Sequence, residues 1–176
     1  MRINPRLLSP LLLIALSLGA ISASAGDCRA HLRPLLLAAE PAPDALERVR
    51  ATCQAEADAG DAEATYELSF FHLGLGGNWQ PELAIPLIRS AADRGVTEAQ
   101  YWLAWPSEAG PELPHDAAVA LGWYEKAAAG RHRLALQRLA EASEKGELGL
   151  PVDKRKALEY RAQIRRCEDE NARASN

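Results

Sequence analysis

Three sets of residues recur along this chain at a spacing close to 36, and no other feature restricts its fold as much. Gly60, Gly95 and Gly130 stand 35 apart, each closing an alanine-rich stretch. Asp116, Ala120 and Trp123 return 37 residues later as Asp153, Ala157 and Tyr160, and 36 residues earlier, in degenerate form, as Gln80, Ala84 and Leu87. Leu68, Leu103 and Leu139 make a third series. A period of this size is that of stacked helical pairs, none of which can bury its apolar face alone.

Composition agrees. Outside residues 1–25 there are only three Ile, four Val and three Thr, while the helix formers Ala, Leu, Glu and Arg dominate. A β-sandwich or a parallel α/β sheet is excluded, and the expected class is all-α. Breakers and caps set the elements. The first helix of each repeat is predicted at about 61–73, 97–106 and 131–145, and the second at about 81–93, 117–129 and 154–170. Asp116 and Asp153 are predicted N-caps, and Gln80-Pro81 puts proline at a first helical position, where its missing N–H is not needed. Small residues at Ala64, Ala84, Ala99, Ala120 and Ala157 let neighbouring helices approach closely.

Residues 1–25 have a basic start (Arg2, Arg6), an apolar run from Leu7 to Leu18 broken by Ser9, Pro10 and Ser17, and the small residues Ala23-Ser24-Ala25. That is the pattern of a secretory signal peptide. The run is shorter than the roughly 18 residues of a membrane anchor. The expected mature chain starts near Gly26, is soluble and exported to the periplasm, and inserts in no membrane. Loss of Arg2 and Arg6 takes the net charge from −4 to −6. A chain this acidic is not built to neutralise phosphates, so no nucleic-acid partner is expected.

Export places Cys28, Cys53 and Cys167 in an oxidising compartment. Asp27–Glu40 and Asp44–Ala59 read as two helices about the turn Pro41-Ala42-Pro43, with Asp44 and Glu47 as a capping box. Pro34 is expected to kink the first helix or delay its start. Cys28 lies 13 residues before Pro41 and Cys53 lies 12 after it, so the two come level in an antiparallel pair and a Cys28–Cys53 disulfide is predicted. Zinc is the weak alternative, because no paired Cys/His spacing exists. Cys167 is left over, free or able to pair between chains. The expected organisation is a signal peptide at 1–25, a stapled helical hairpin at 26–60, and three repeats with a C-terminal capping helix at 61–176.

Trp123-Tyr124-Glu125-Lys126-Ala127-Ala128, preceded by Asp116 and Ala120, resembles the signature of the Sel1-like repeat, a relative of the tetratricopeptide repeat. Ser90-Ala91-Ala92-Asp93-Arg94-Gly95 and Gly149-Leu150-Pro151-Val152-Asp153 match other parts of that pattern. The resemblance covers roughly residues 61–165. Ser69, Ala104 and Ala140 stand where the family often has glycine, and His72 and Ser107 where it often has tyrosine, substitutions expected to loosen packing. The resemblance implies a right-handed superhelix of antiparallel helix pairs that binds proteins and does not catalyse.

The residues themselves offer little chemistry. His31, His72, His115 and His132 lie in different elements and none makes the HExxH spacing. His115-Asp116 could pair a base with an acid, but Asp116 is better used as a cap. No serine sits in GxSxG, and Gly74–Gly77 reads as a repeat turn. No cofactor, metal site or catalytic residue is expected.

In tetratricopeptide-like superhelices the first helix of each repeat lines the concave side. Counted from the shared leucine, its inward positions are Glu63, Tyr66 and Phe70; Glu98, Tyr101 and Trp105; and Leu134, Gln137 and Glu141, with Glu144 one turn on. The candidate partner-binding residues are Glu63, Tyr66, Phe70, Glu98, Tyr101, Trp105, Gln137 and Glu141, an aromatic stripe with an acidic border. Tyr66 and Tyr101 also fit a plain packing role; Trp79 and Trp102 are further candidates. Lys154, Arg155, Lys156, Arg161, Arg165 and Arg166 make the last helix basic, as a solvated capping face would be. The expected function is a non-enzymatic periplasmic protein-binding module, most concretely an immunity protein that neutralises a secreted toxin such as a type VI secretion phospholipase. The alternative is an envelope scaffold or adaptor. The oligomeric state is left open.

Overall fold

The structure is a computed structural model that describes residues 27–175; the expected signal peptide lies outside them. Eight helices follow one another: α1 (Asp27–Leu37), α2 (Pro43–Asp58), α3 (Ala62–Leu68), α4 (Pro81–Asp93), α5 (Thr97–Glu108), α6 (Ala117–Ala129), α7 (Arg133–Lys145) and α8 (Lys154–Ala174). Each packs chiefly on its neighbours in sequence, and α1 also reaches α3. The result is a solenoid of stacked antiparallel helix pairs.

Caps explain most of the boundaries. Asp116 accepts from the N–H groups of Ala118 and Val119, and Asp153 from that of Lys156, as predicted. Asp61 and His132 play the same part for α3 and α7. Asp44 does not. Pro43 takes the first helical position of α2 with Ala42 as the N-cap, which leaves Asp44 and Glu47 inside the helix, paired with Arg48 and Arg50 at 2.7 Å each. Nor does Pro34 delay α1, which starts at Asp27 and runs three residues beyond it to Leu37. The carbonyl that proline leaves unbonded belongs to exposed Ala30, where water can serve it.

The 35-residue glycine series has two causes. Gly60 and Gly95 have φ of 94° and 95°, left-handed turns after α2 and α4. Gly130 does not; the positive φ passes to Arg131, at 67°. A Cβ on Gly130 would instead drive into the Thr97 side chain, so here glycine serves the close approach of α6 to α5.

Two cores result. The larger runs from Ala84 to Leu148 and is rich in fully buried alanines, among them Ala84, Ala99 and Ala120. The smaller joins the hairpin to repeat one through Cys28, Leu32, Val49, Cys53, Ala64, Leu68 and Phe71. Cys28 and Cys53 are disulfide-bonded, and Cys167 is free. Of the five departures from the family pattern, Ser69, Ala104, Ala140 and Ser107 are buried and His72 is partly so. Ser69 and Ala104 are fully buried and Ala140 nearly so, with Ser69 Oγ donating to the Tyr66 carbonyl at 2.6 Å and Ser107 Oγ to that of Leu103 at 2.8 Å.

A polar clasp locks repeat two to repeat three. Glu108 receives Arg138 through Nε and a terminal nitrogen, and Tyr124 Oη at 2.9 Å, while Arg138 also reaches Glu147 at 2.7 Å. Burial alone would raise the Glu108 carboxyl; the hydrogen bonds from Arg138 and Tyr124 outweigh it and hold the group below its ordinary value. The Arg138 and Glu108 side chains are 20% and 21% exposed, so removing one partner strands the other in a poorly solvated place. Arg138→Met is expected to cost about 2 kcal/mol in urea unfolding at pH 7. A depressed carboxyl stabilises above its unfolded pKa and loses that contribution as pH falls through the folded one, so the penalty should fade below the ordinary value of 4.5. A penalty under ~0.5 kcal/mol at pH 7 would make the clasp incidental.

Candidate functional site

The site is a groove along repeats one and two. On one side α3 gives way after Leu68 to a 3₁₀ turn, Ser69–Phe71, and then to the glycine-rich loop 72–80. An isolated bridge between Leu73 and Trp79, with the Gln80 N–H donating to the His72 carbonyl at 2.7 Å, folds that loop back on itself. Gly74, at φ 104°, lies beneath the indole, and a Cβ there would touch Trp79 Cε3 at 3.8 Å. Trp79 itself is 61% exposed. On the other side α5 presents Glu98, Tyr101, Trp102 and Trp105, the last 51% exposed. The imidazole of His132 stacks on Tyr101 with ring centres 4.3 Å apart. Together with Tyr66 and Glu112 these residues enclose about 590 Å³.

A second hollow of about 340 Å³ adjoins it, lined by Arg33, Leu36 and Phe70 and sharing Tyr66 and Glu98 with the first. Phe70 meets Tyr66 edge-on at 5.1 Å and so faces the hairpin side of the groove, away from Trp105. Arg29 sits behind the junction, 3.3 Å from Glu67, 3.6 Å from Glu63 and 3.9 Å from Glu98, one cation shared by three carboxylates.

The electrostatics suit binding better than bond-making. Burial, reinforced by Glu98, Glu63 and Glu67, pushes the Tyr66 phenol up to about 12. Burial lowers His132, whose Nδ1 already accepts the Ala135 N–H at 3.3 Å. Burial and the neighbouring Glu98 raise Glu63. At neutral pH the groove therefore presents π faces, protonated phenols, a neutral imidazole and carboxylate acceptors. His115 donates to or accepts nothing from Asp116; its Nε2 lies 2.7 Å from the Gly110 carbonyl while Asp116 caps α6. Among the described residues no group of His, Cys, Asp and Glu is placed to hold a metal ion, and no helix is long and apolar enough to cross a membrane.

Of the candidates read from the leucine register, Tyr66, Glu98, Tyr101 and Trp105 come together in the groove, joined by Trp79 and Trp102. Phe70 is one step away in the adjoining hollow, and Glu63 lines a smaller acidic recess with Glu56, Asp61 and Glu67. Gln137 and Glu141 hydrogen-bond each other on α7 at 3.2 Å, and Leu134 is exposed. Glu144 pairs with Arg161 of the basic helix α8. Arg29, Glu112 and His132 were not foreseen as groove residues. His132 had a signal in the repeat itself, since it holds the N-cap place that Asp61 holds two helix pairs earlier.

The fold and this groove define a helical-repeat protein with an aromatic cavity along its first two repeats. The Sel1 repeat model matches residues 62–96, 97–132 and 133–160, more than half of the chain, and the chain belongs to the Sel1 repeat family. Sel1 repeats generally mediate protein–protein interaction and serve as non-catalytic scaffolds. Among solved structures, it is similar to a Sel1 repeat protein from Oxalobacter formigenes (TM-score 0.66, 22% identity over 81% of this chain and 58% of that one). It is also similar to c5321, a protective antigen present in uropathogenic Escherichia coli strains and displaying an SLR fold (TM-score 0.60, 29% identity over 66% of this chain and 25% of that one). The chain thus spans 58% of the first of these proteins and 25% of the second, less than two thirds of either. No curated protein matches it significantly.

Proposed function

We propose that this protein is a periplasmic binding module that grips a partner protein in the groove between Trp79 and Trp105, most concretely an immunity protein that neutralises a secreted toxin. The observation that carries the binding reading is the pair of half-exposed indoles, Trp79 and Trp105, that line one cavity. Large aromatics in a concavity are the usual anchors of an interface, and leaving them in water has no folding benefit. The signal-peptide pattern, acidity and lack of a nucleophile–base pair support the toxin-inhibitor reading.

Trp105→Ala is expected to weaken partner binding by about 2 kcal/mol or more while leaving thermal stability nearly unchanged, since the side chain faces the groove. Phe70→Ala should cost both, because its ring also packs against the smaller core. Capture from a periplasmic extract with wild type and Trp105→Ala checks this; equal recovery of the same partner by both would move the site elsewhere. For the immunity reading, the exported chain should protect cells from a toxin encoded beside it. Binding without protection would leave the envelope-adaptor reading.

A further inference from the structure

We infer that the Trp79–Trp105 slot is built to take a guanidinium group, the side chain of an arginine presented by the partner protein. This rests on the protein-binding reading of the groove and adds the chemistry of what enters it.

The half-exposed indoles of Trp79 and Trp105 and the rings of Tyr66 and Tyr101 line the cavity, and aromatic rings are the surfaces on which a planar cation stacks best. The floor is acidic, with Glu98 and Glu112 both lining the cavity. Glu98 shares the Arg29 cation with Glu63 and Glu67, but at 3.9 Å, the longest of the three approaches, Arg29 takes none of its hydrogen-bonding capacity. Glu112 carries the second, independent sign. Its Oε2 is, among the described residues, the buried side-chain oxygen without a hydrogen-bond partner.

That oxygen is packed against Gly110. The Cβ that Gly110 lacks would lie 2.9 Å from it and 2.6 Å from the Pro106 Cα. A buried carboxylate oxygen left unbonded is costly. Glu112 also lines the cavity, and a donor from the occupant to its carboxylate would lower that cost.

These features choose among cations. A quaternary ammonium stacks on indoles but has no N–H to give, so Glu112 would stay unsatisfied. A lysine donates but has no plane to lie against the indoles. A guanidinium does both at once, offering five N–H donors in a plane. His132 is lowered by burial and Tyr66 and Tyr101 are raised by it, so none of the three adds an opposing charge; Arg29, 3.9 Å from Glu98, is the nearby cation.

The test uses N-acetylarginine methylamide titrated into the folded protein, following the tryptophan indole N–H signals by NMR, beside its neutral isostere N-acetylcitrulline methylamide and tetramethylammonium. Saturable binding near the millimolar range is expected for arginine. Citrulline and tetramethylammonium should each bind at least about tenfold more weakly. Glu98→Gln and Glu112→Gln should each lower arginine affinity several-fold, and Trp105→Ala about tenfold, all with an unchanged helical spectrum.

Citrulline equal to arginine would overturn the inference and leave an apolar slot. Tetramethylammonium equal to arginine would overturn it in favour of a choline-type cage. Arginine binding that ignores both Glu→Gln changes would assign it to general surface acidity, and no saturable binding would overturn it outright. The titration needs no partner, so its outcome is independent of the capture and protection experiments that test the groove as a protein-binding site.

Discussion

Replacing Cys28 and Cys53 together by alanine is expected to lower stability by about 3.5 kcal/mol, the chain-entropy value for a loop of this length. The bridge spans 25 residues and ties the first turn of α1 to the last third of α2. Both cysteines are almost wholly buried, at 1% and 0% exposure, in the smaller core. That core holds only seven buried residues, two of them the cysteines, so little else keeps α1 in place. Alanine avoids a buried hydroxyl and keeps the comparison to the cross-link and its packing. The loss should be local first: amides of α1 and α2 exchange with solvent faster, while α5 to α7 stay protected. Urea unfolding of wild type with and without reductant gives the same comparison without mutation. A difference below about 1 kcal/mol would show that the hairpin is held by packing alone. Mass mapping of the oxidised protein should find Cys28 joined to Cys53; a Cys28–Cys167 link would overturn the arrangement.

The hairpin also shows what a sequence of this kind reveals. The disulfide was legible because two helices about a proline turn leave only one level at which those cysteines meet. Helices α4 and α6 were legible to the residue, because Pro81 and Asp116 start them and the glycine ends are periodic. Helix α3 was not. Its expected length to residue 73 is cut at Leu68, where buried Ser69 bonds back to the Tyr66 carbonyl and the chain tightens into a 3₁₀ turn. That tightening takes Phe70 off the helical register and turns it toward α1.

The same limit applies to the site. Register from the shared leucine finds residues that one helix offers to one face, which is how Glu98, Tyr101 and Trp105 were found. It says nothing of what loops and other elements bring to that face. Trp79 needed the Leu73–Trp79 bridge, Glu112 needed the space at Gly110, and Arg29 arrived from the hairpin. In repeat three the same register gives Gln137 and Glu141, which hydrogen-bond each other along α7.

Glu67→Gln is expected to stabilise the protein by up to about 3 kcal/mol at pH 8 and by almost nothing at pH 4. Glu67 is 5% exposed on α3, with one oxygen 3.3 Å from Arg29 and the other 3.3 Å from the Cys28 sulfur. Burial raises its pKa from 4.5 to about 7, against the pull of Arg29 and with help from Glu63, Asp61 and Glu56. The sulfur is part of a disulfide and has no proton to give, so only the protonated acid, donating O–H, suits that contact.

The folded state therefore holds a proton that the unfolded state releases, and stability falls as pH rises from 4.5 toward 7. Glutamine imitates the neutral acid, keeps an N–H for the sulfur and forgoes only an ion pair to a half-exposed arginine. Chemical denaturation of both proteins between pH 4 and 8 decides it. The variant's stability should rise relative to wild type through that window and level off above it. A stabilisation independent of pH would mean that Glu67 is not the titrating group, and a destabilisation at pH 8 would mean that its ion pair with Arg29 outweighs the burial of its charge.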